Sequence, residues 1–106
     1  MQADRFTIKT QEALQAAIAL AHARRHSQIT PLHLLTALLD QEGGFVTPVL
    51  GKIGVAPSAL RGDLESALGA MPTLGSEAEP TMAPEVMATL RKAEREMRSL
   101  KDSFLS

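Results

Sequence analysis

The sequence contains no cysteine, no tryptophan and no tyrosine, and its only aromatic residues are three phenylalanines. Without thiols the chain can form no disulfide framework, no thiolate nucleophile and no Cys-based zinc site. A core with so few rings must be built from Leu, Ala, Ile, Val and Met, a mixture that favours helices. The chain also lacks a run of 18 apolar residues and the apolar stretch of a signal peptide, which predicts a cytoplasmic protein with no membrane partner.

Of the 106 residues, 44% are hydrophobic and the formal net charge is −1. This composition predicts one small folded domain and gives no general attraction to nucleic acid or to anionic membranes. Arg91, Arg95 and Arg98 recur along one predicted helix, but acidic residues are interleaved with them and no aromatic residue is available for base stacking. We therefore interpret this stretch as a solvated charged face and predict no nucleic-acid partner.

Five helices are predicted from starts marked by a hydroxyl cap, a proline or both. No segment alternates polar and apolar residues for long enough to predict a strand, so the fold class is all-α. The predicted starts are a cap at Thr7, the pairs Thr30-Pro31 and Thr47-Pro48, Pro57 and Pro84, and the corresponding ends lie near Arg25, Gly43, Gly51, Leu68 and Leu100.

An internal repeat appears when the fifth helix is aligned with the first at an offset of 76 residues. Leu14 then matches Leu90, Ala17 matches Ala93 and Thr30 matches Ser106. We predict a first helical repeat over residues 1–68, an exposed linker over 69–81 and the start of an incomplete second repeat over 82–106. The fifth helix is expected to dock on the first repeat or to pair with a second copy of the chain.

The residue types that carry chemistry do not form a catalytic set. His22 and His26 are four residues apart, a metal-ligand spacing, but without a third ligand we place both on a solvated helix face. His33 follows a helix start and is predicted to be a packed or capping residue. Gly51-Lys52 resembles the end of a phosphate-binding loop, but Val46 replaces its first glycine and Ile53 its hydroxyl residue. No metal, cofactor or nucleotide site is predicted in this chain.

Four segments resemble the amino-terminal repeat domain of Clp-family AAA+ unfoldases. Residues 29–44 read ITPLHLLTALLDQEGG, similar to the family's repeat motif, and residues 4–14 read DRFTIKTQEAL, similar to the start of the domain. The segment KDSFLS at 101–106 resembles the matching part of the second repeat. The opening, the QEGG turn and ALGAMP at 67–72 favour the ClpB branch, whereas Leu32 departs from the Glu that many members carry there.

The resemblance implies a domain of two quasi-equivalent four-helix repeats, the second truncated here. It implies that the full-length protein is a homohexameric disaggregase with ATP and magnesium in separate ATPase domains, acting with an Hsp70-type chaperone system. This domain would bind unfolded or aggregated polypeptides. By the family match, Thr7 and Asp102 would take part in substrate handling, although Thr7 could be an ordinary cap and Asp102 a solvated turn acid. We predict that Met82, Met87 and Leu90 supply the apolar part of the same surface.

Two alternatives remain open from the sequence. One is an adaptor-docking amino-terminal domain of the ClpA or ClpC type, which feeds a protease. The other is a stand-alone structural or oligomerising helical protein. A heptad-rich insertion between two phosphate-loop motifs downstream would identify the ClpB branch.

Overall fold

The structure, a computed structural model, describes residues 2–75 and 79–105. It confirms the all-α class, because helices account for nearly all of the regular structure in these residues. In chain order the elements are α1 (Gln2–Ala23), β1 (Gln28–Ile29), α2 (Pro31–Asp40), α3 (Val46–Lys52), α4 (Pro57–Gly69), β2 (Thr81–Met82) and α5 (Pro84–Leu105).

Helix α2 is the centre of the fold and packs against α1, α3, α4 and α5. Thr30, in extended conformation, is its N-cap, and Pro31 occupies the first turn, where a missing N–H costs little. Both confirm the predicted start. The helix ends at Asp40, and the side chain of Gln41 donates to the carbonyl of Lys9 in α1 at 2.7 Å. This contact attaches the turn after α2 to α1.

Helix α1 presents a stripe of alanines to the core. Ala13, Ala17 and Ala21 recur every four residues and are fully buried. Because they have almost no side-chain bulk, α1 and α2 can lie close together. The predicted cap at Thr7 is wrong, since α1 already begins at Gln2 and Thr7 lies inside it. Arg25, with φ 60°, turns the chain out of the helical direction after α1.

Helix α4 covers the other side of α2. It begins at Pro57, as predicted, and buries Leu64 and Leu68. Two ion pairs connect α4 to its neighbours. Glu65 pairs with Arg24, after α1, and Arg61 pairs with Asp40 at the end of α2. The short α3 also lies against α2 and α4, and it begins at Val46, one residue before the predicted cap.

A two-stranded parallel sheet, which the sequence did not predict, joins the segment between α1 and α2 to the segment before α5. Gln28 pairs with Thr81 and Ile29 with Met82. His26 forms a further antiparallel bridge with Thr73. Part of the predicted linker is therefore attached to the segment between α1 and α2. Its residues 76–78 lie outside the described residues, and the repeat boundaries at 68 and 81 stay predictions.

Helix α5 packs against α2, in agreement with the expectation that it docks on the first repeat. It begins at Pro84, as predicted, but ends at Leu105, five residues beyond Leu100. Ala83 and Val86 are buried in one core cluster with the α1 alanines, Ile29, Leu34 and Ala37. The repeat-equivalent Leu14 and Leu90 both pack, half-buried, against this cluster. Ser106, the predicted cap of the next helix, lies outside the described residues.

Within the described part of the chain, no helix is both long enough and apolar enough to cross a membrane.

Candidate functional site

Some of the residues predicted to bind substrate are half-buried in the structure, and others are exposed. Met82, in β2, and Leu90, in α5, are half-buried and pack against the core cluster. Met87, one turn before Leu90, is 41% exposed. Of these three side chains, Met87 is the one available to a partner without a change in the core.

The two polar residues of the predicted surface lie on different helices. Thr7 is exposed on α1. It is one turn before Gln11, which lines an open groove together with Ile8, Glu12, Leu14 and Gln15. Asp102 is exposed and lies within α5, so the alternative of a turn acid is wrong. Helix geometry places Asp102 about 18 Å along α5 from Leu90. Asp102 is therefore remote from the apolar residues with which it was grouped.

A second exposed apolar surface, not predicted from the sequence, lies on and around α3. Of the described side chains, six large hydrophobic ones are exposed, and four of them fall between positions 45 and 55. These four, which we call the α3 surface, are Phe45, Val49, Ile53 and Val55, with 38%, 54%, 67% and 38% of their surface accessible. None of the seven residues that the structure describes in α3 is buried.

A sequence signal for the α3 surface existed. Between Gly43 and Leu60 the only charged residue is Lys52, although the segment is rich in Val, Ile and Leu. An apolar helix with so few charges normally enters a core, whereas α3 is too short and too peripheral to do so. Its apolar side chains therefore remain in contact with solvent, a property typical of interaction sites.

One of the three histidines occupies a position different from the predicted one. His22 lies in the last turn of α1, is exposed, and has Nδ1 3.9 Å from Glu79 Oε2. His26 lies beyond the end of α1 and is 2% exposed, so its placement on a solvated helix face is wrong. His33 is fully buried and accepts a hydrogen bond from the Thr30 backbone N–H, which confirms a packed, capping role.

His26 and His33 form a buried pair. His26 Nδ1 and His33 Nε2 are 2.8 Å apart, and the ring planes are inclined by 64°. Burial lowers the pKa of His33, and His26 and Arg24 lower it further, outweighing the opposite effect of a backbone hydrogen bond at Thr30. A neutral imidazole is therefore favoured at this position.

The described residues show neither the context of a phosphate-binding loop nor a group of metal ligands. Gly51 and Lys52 lie in α3, which follows helix α2, whereas a phosphate-binding loop follows a strand. Within the described residues, no group of three or more His, Asp or Glu side chains is placed to hold a metal ion. The exposed apolar surfaces described above are the candidates for a functional site.

Comparison with known proteins agrees with this architecture. The family described as the Clp repeat (R) N-terminal domain matches residues 5–106. The chaperone protein ClpB of Mycobacterium bovis is 35% identical over 101 residues, which cover 94% of this chain and 12% of that protein. ClpB of Corynebacterium diphtheriae is 36% identical over 102 residues, with the same coverages.

ClpB of Pseudomonas putida is 35% identical over 107 residues, which cover 100% of this chain and 12% of the relative. The chain thus spans about 12% of the length of the curated relatives that it matches. The match to the family model covers nearly the whole chain and agrees with the all-helical fold. The chain belongs to the Clp repeat N-terminal domain family and is similar to the ClpB chaperones within it.

Proposed function

We propose that this chain is the substrate-binding amino-terminal domain of a ClpB-type chaperone and that it binds unfolded or aggregated polypeptides. The observation that carries the proposal is the α3 surface, where four large apolar side chains remain exposed on a domain of this family. Unfolded polypeptides expose apolar side chains of the same kind. Mutual burial would remove both sets from water.

The size of the α3 surface predicts weak and reversible binding. Together its four exposed fractions amount to the surface of about two whole side chains. Burial of this surface by a client would contribute about 3–6 kcal/mol. The client would contribute a similar amount. Association costs about 4–15 kcal/mol in lost freedom, so most of this gain is offset. Weak contacts suit a domain that must release its client.

The predicted surface formed by Thr7, Met82, Met87, Leu90 and Asp102 is the second candidate for the binding site. It is supported by the family resemblance at Thr7 and Asp102 and by the exposure of Met87. Met87 has a flexible side chain that adapts to varied partners. The separation of Asp102 from Leu90 along α5 favours the α3 surface, where the apolar groups lie within eleven residues of each other.

An NMR titration of the chain with a reduced, carboxymethylated model protein tests the proposal. We expect shifts at the amides around Val49 and Ile53. Ile53→Ser should weaken binding by about 5–30-fold, because that side chain is two-thirds exposed and would lose about 1–2 kcal/mol of burial. Ile8→Ser is the matched control, since Ile8 is 56% exposed on α1.

The outcomes separate the two surfaces from each other and from failure of the function. Weaker binding by Ile8→Ser alone would move the site to the groove beside Thr7. Shifts confined to Arg91, Arg95 and Arg98 would contradict both apolar surfaces. The absence of any binding by the unmodified chain would overturn the proposed function.

The assignment to the ClpB branch rests on the three relatives above, which are all ClpB chaperones. They favour it over an adaptor-docking domain of the ClpA or ClpC type. We assign no enzymatic activity to this chain and expect ATP hydrolysis in other domains of the full-length protein. The homohexamer, the cooperation with an Hsp70-type system and the cytoplasmic location stay predictions from the resemblance.

A further inference from the structure

The hydrogen bonds around the two buried histidines define where their protons lie. The backbone N–H of Thr30 donates to His33 Nδ1 at 2.9 Å, so this nitrogen carries no proton in the neutral ring. The proton of His33 is therefore on Nε2, which donates to His26 Nδ1 at 2.8 Å. It follows that neutral His26 also carries its proton on Nε2.

An added proton would bind to His26 Nδ1 or to His33 Nδ1, and each of these nitrogens already accepts a hydrogen bond. On His26 Nδ1 it would direct two N–H groups at each other across 2.8 Å. On His33 Nδ1 it would face the amide N–H of Thr30. Thr30 Oγ1, 2.9 Å from the same nitrogen, could accept this new proton, but the amide would then lose its acceptor. Either event replaces a buried hydrogen bond with an unfavourable contact.

The charged groups on the surrounding elements do not compensate for a positive charge on the pair. Arg24, in the turn after α1, adds positive charge beside it. Glu65, on α4, is already ion-paired with Arg24. Glu79, before β2, lies near the exposed His22, and Glu85, at the start of α5, is itself exposed. Protonation would therefore place an uncompensated charge in the core.

The pair lies beside the segment to which residues 73–74 and 81–83 are attached. His26 itself bridges to Thr73, and His33 is the third residue of the helix that follows β1. Carbonyls of residues 25–29 accept backbone hydrogen bonds from the opposite segment. These bonds run from Leu74 N to Arg25 O at 2.6 Å, from Thr81 N to Ser27 O at 3.0 Å and from Ala83 N to Ile29 O at 2.9 Å.

We propose that the His26–His33 pair makes the attachment of residues 73–74 and 81–83 to the first four helices sensitive to pH. While both rings are neutral, the pair holds residues 25–30 in the conformation that supports β1 and the bridge to Thr73. Protonation of either ring displaces this segment and releases β2. Because β2 leads directly into α5, mild acid would loosen the start of α5 from α2. This proposal is independent of the polypeptide-binding function.

Hydrogen exchange followed by NMR on the 106-residue chain tests the proposal. After correction for intrinsic exchange rates, the opening constants of the Leu74, Thr81 and Ala83 amides should rise as pH falls from 7.5 to 5.5. The expected rise is about tenfold per pH unit for each proton taken up below the pKa of a free histidine. The amides of Ala13 and Ala17, buried in α1, should keep smaller opening constants than these three amides at every pH. Constant protection at the three linking amides, or opening constants there no larger than those in α1, would overturn the proposal.

Two substitutions and one direct measurement complete the test. His33→Gln supplies an acceptor and a donor on a side chain that cannot be protonated, and it should flatten the pH dependence. His22→Gln, at an exposed site, should leave it unchanged. If His33→Gln does not fold, the nitrogen shifts of the unmodified rings decide. At pH 7.5 they should show unprotonated Nδ1 on both rings, and a proton on either Nδ1 would refute the arrangement.

Discussion

Replacement of Ala17 by Leu is the sharpest test of how α1 packs. Ala17 is fully buried in the core cluster that contains Ala13, Ala21 and residues of α2. Leu adds three carbon atoms at a position where the small side chain allows α1 to lie close to α2. The same substitution at Ala16, the exposed neighbour on α1, is a matched control.

The expected effect follows from packing rather than from helix propensity. Ala and Leu are both strong helix formers, so either variant should change the intrinsic stability of α1 only slightly. Overpacking a close-packed core typically costs about 1–3 kcal/mol. Ala17→Leu should therefore lower the free energy of unfolding by about this amount, which corresponds to a fall in Tm of about 4 °C or more. Ala16→Leu should stay within about 0.5 kcal/mol of the unmodified chain.

Urea unfolding followed by far-ultraviolet circular dichroism measures both variants, and the urea midpoint at an unchanged slope gives the difference in stability. If Ala17→Leu changed the slope of the free energy of unfolding against urea concentration, an altered unfolded or native state would be indicated rather than simple overpacking. Equal stability of the two variants would refute the reasoning. In that case the space between α1 and α2 would accommodate a larger side chain, and the alanine stripe would not be needed for their close approach.

Three further predictions concern α5, pH and nucleotide. Val86→Ala should lower the free energy of unfolding, measured by calorimetry, by about 1–3 kcal/mol, because Val86 is fully buried. Met87→Ala, at the exposed neighbour, should lower it by about 0.5 kcal/mol or less. Because the pKa of His33 is lowered from 6.5, the unfolded chain binds a proton below that pH that the folded chain does not. Above pH 6.5, His33 should therefore not affect the free energy of unfolding measured in urea. Below that pH, the free energy of unfolding should decrease until the folded-state pKa is passed. A stability that rises on acidification to pH 5.5, or an unchanged dependence of stability on pH in His33→Gln, would contradict this. ATP with magnesium should leave Tm unchanged, and a saturable increase of the size expected for a bound ligand would contradict the absence of a nucleotide site.

Local signals in the sequence were most informative at the helix starts. Pro31, Pro57 and Pro84 each stand at the first residue of a helix, as predicted. Proline acts through its own fixed φ and missing N–H, so its effect does not depend on distant residues. Thr7 failed as a start signal because a threonine is also tolerated inside a helix, and α1 extends five residues before it.

The positions of the candidate site residues were less predictable. Met87 and Asp102 are exposed, but Met82 and Leu90 are half-buried against the core. Neither the family match, which selected Asp102, nor the apolar character of the other three carried information on packing. The α3 surface was missed because the start and end signals of α3 predict a short helix but not whether its apolar side chains are exposed. Whether such a segment is buried depends on which neighbours cover it, and the contacts of α3 with α2 and α4 leave none of its residues buried.

The sequence by itself determined the all-α class, the family and the alanine and leucine faces that form the core, because helix propensity and periodicity act within a few residues. The tertiary structure alone decided the parallel pairing of β1 with β2 and the burial of His26 against His33. A two-residue strand has no measurable periodicity, and its partner lies 53 residues away in the chain. Contacts between residues so distant in sequence depend on how α1, α2 and α5 pack, so no local pattern encodes them.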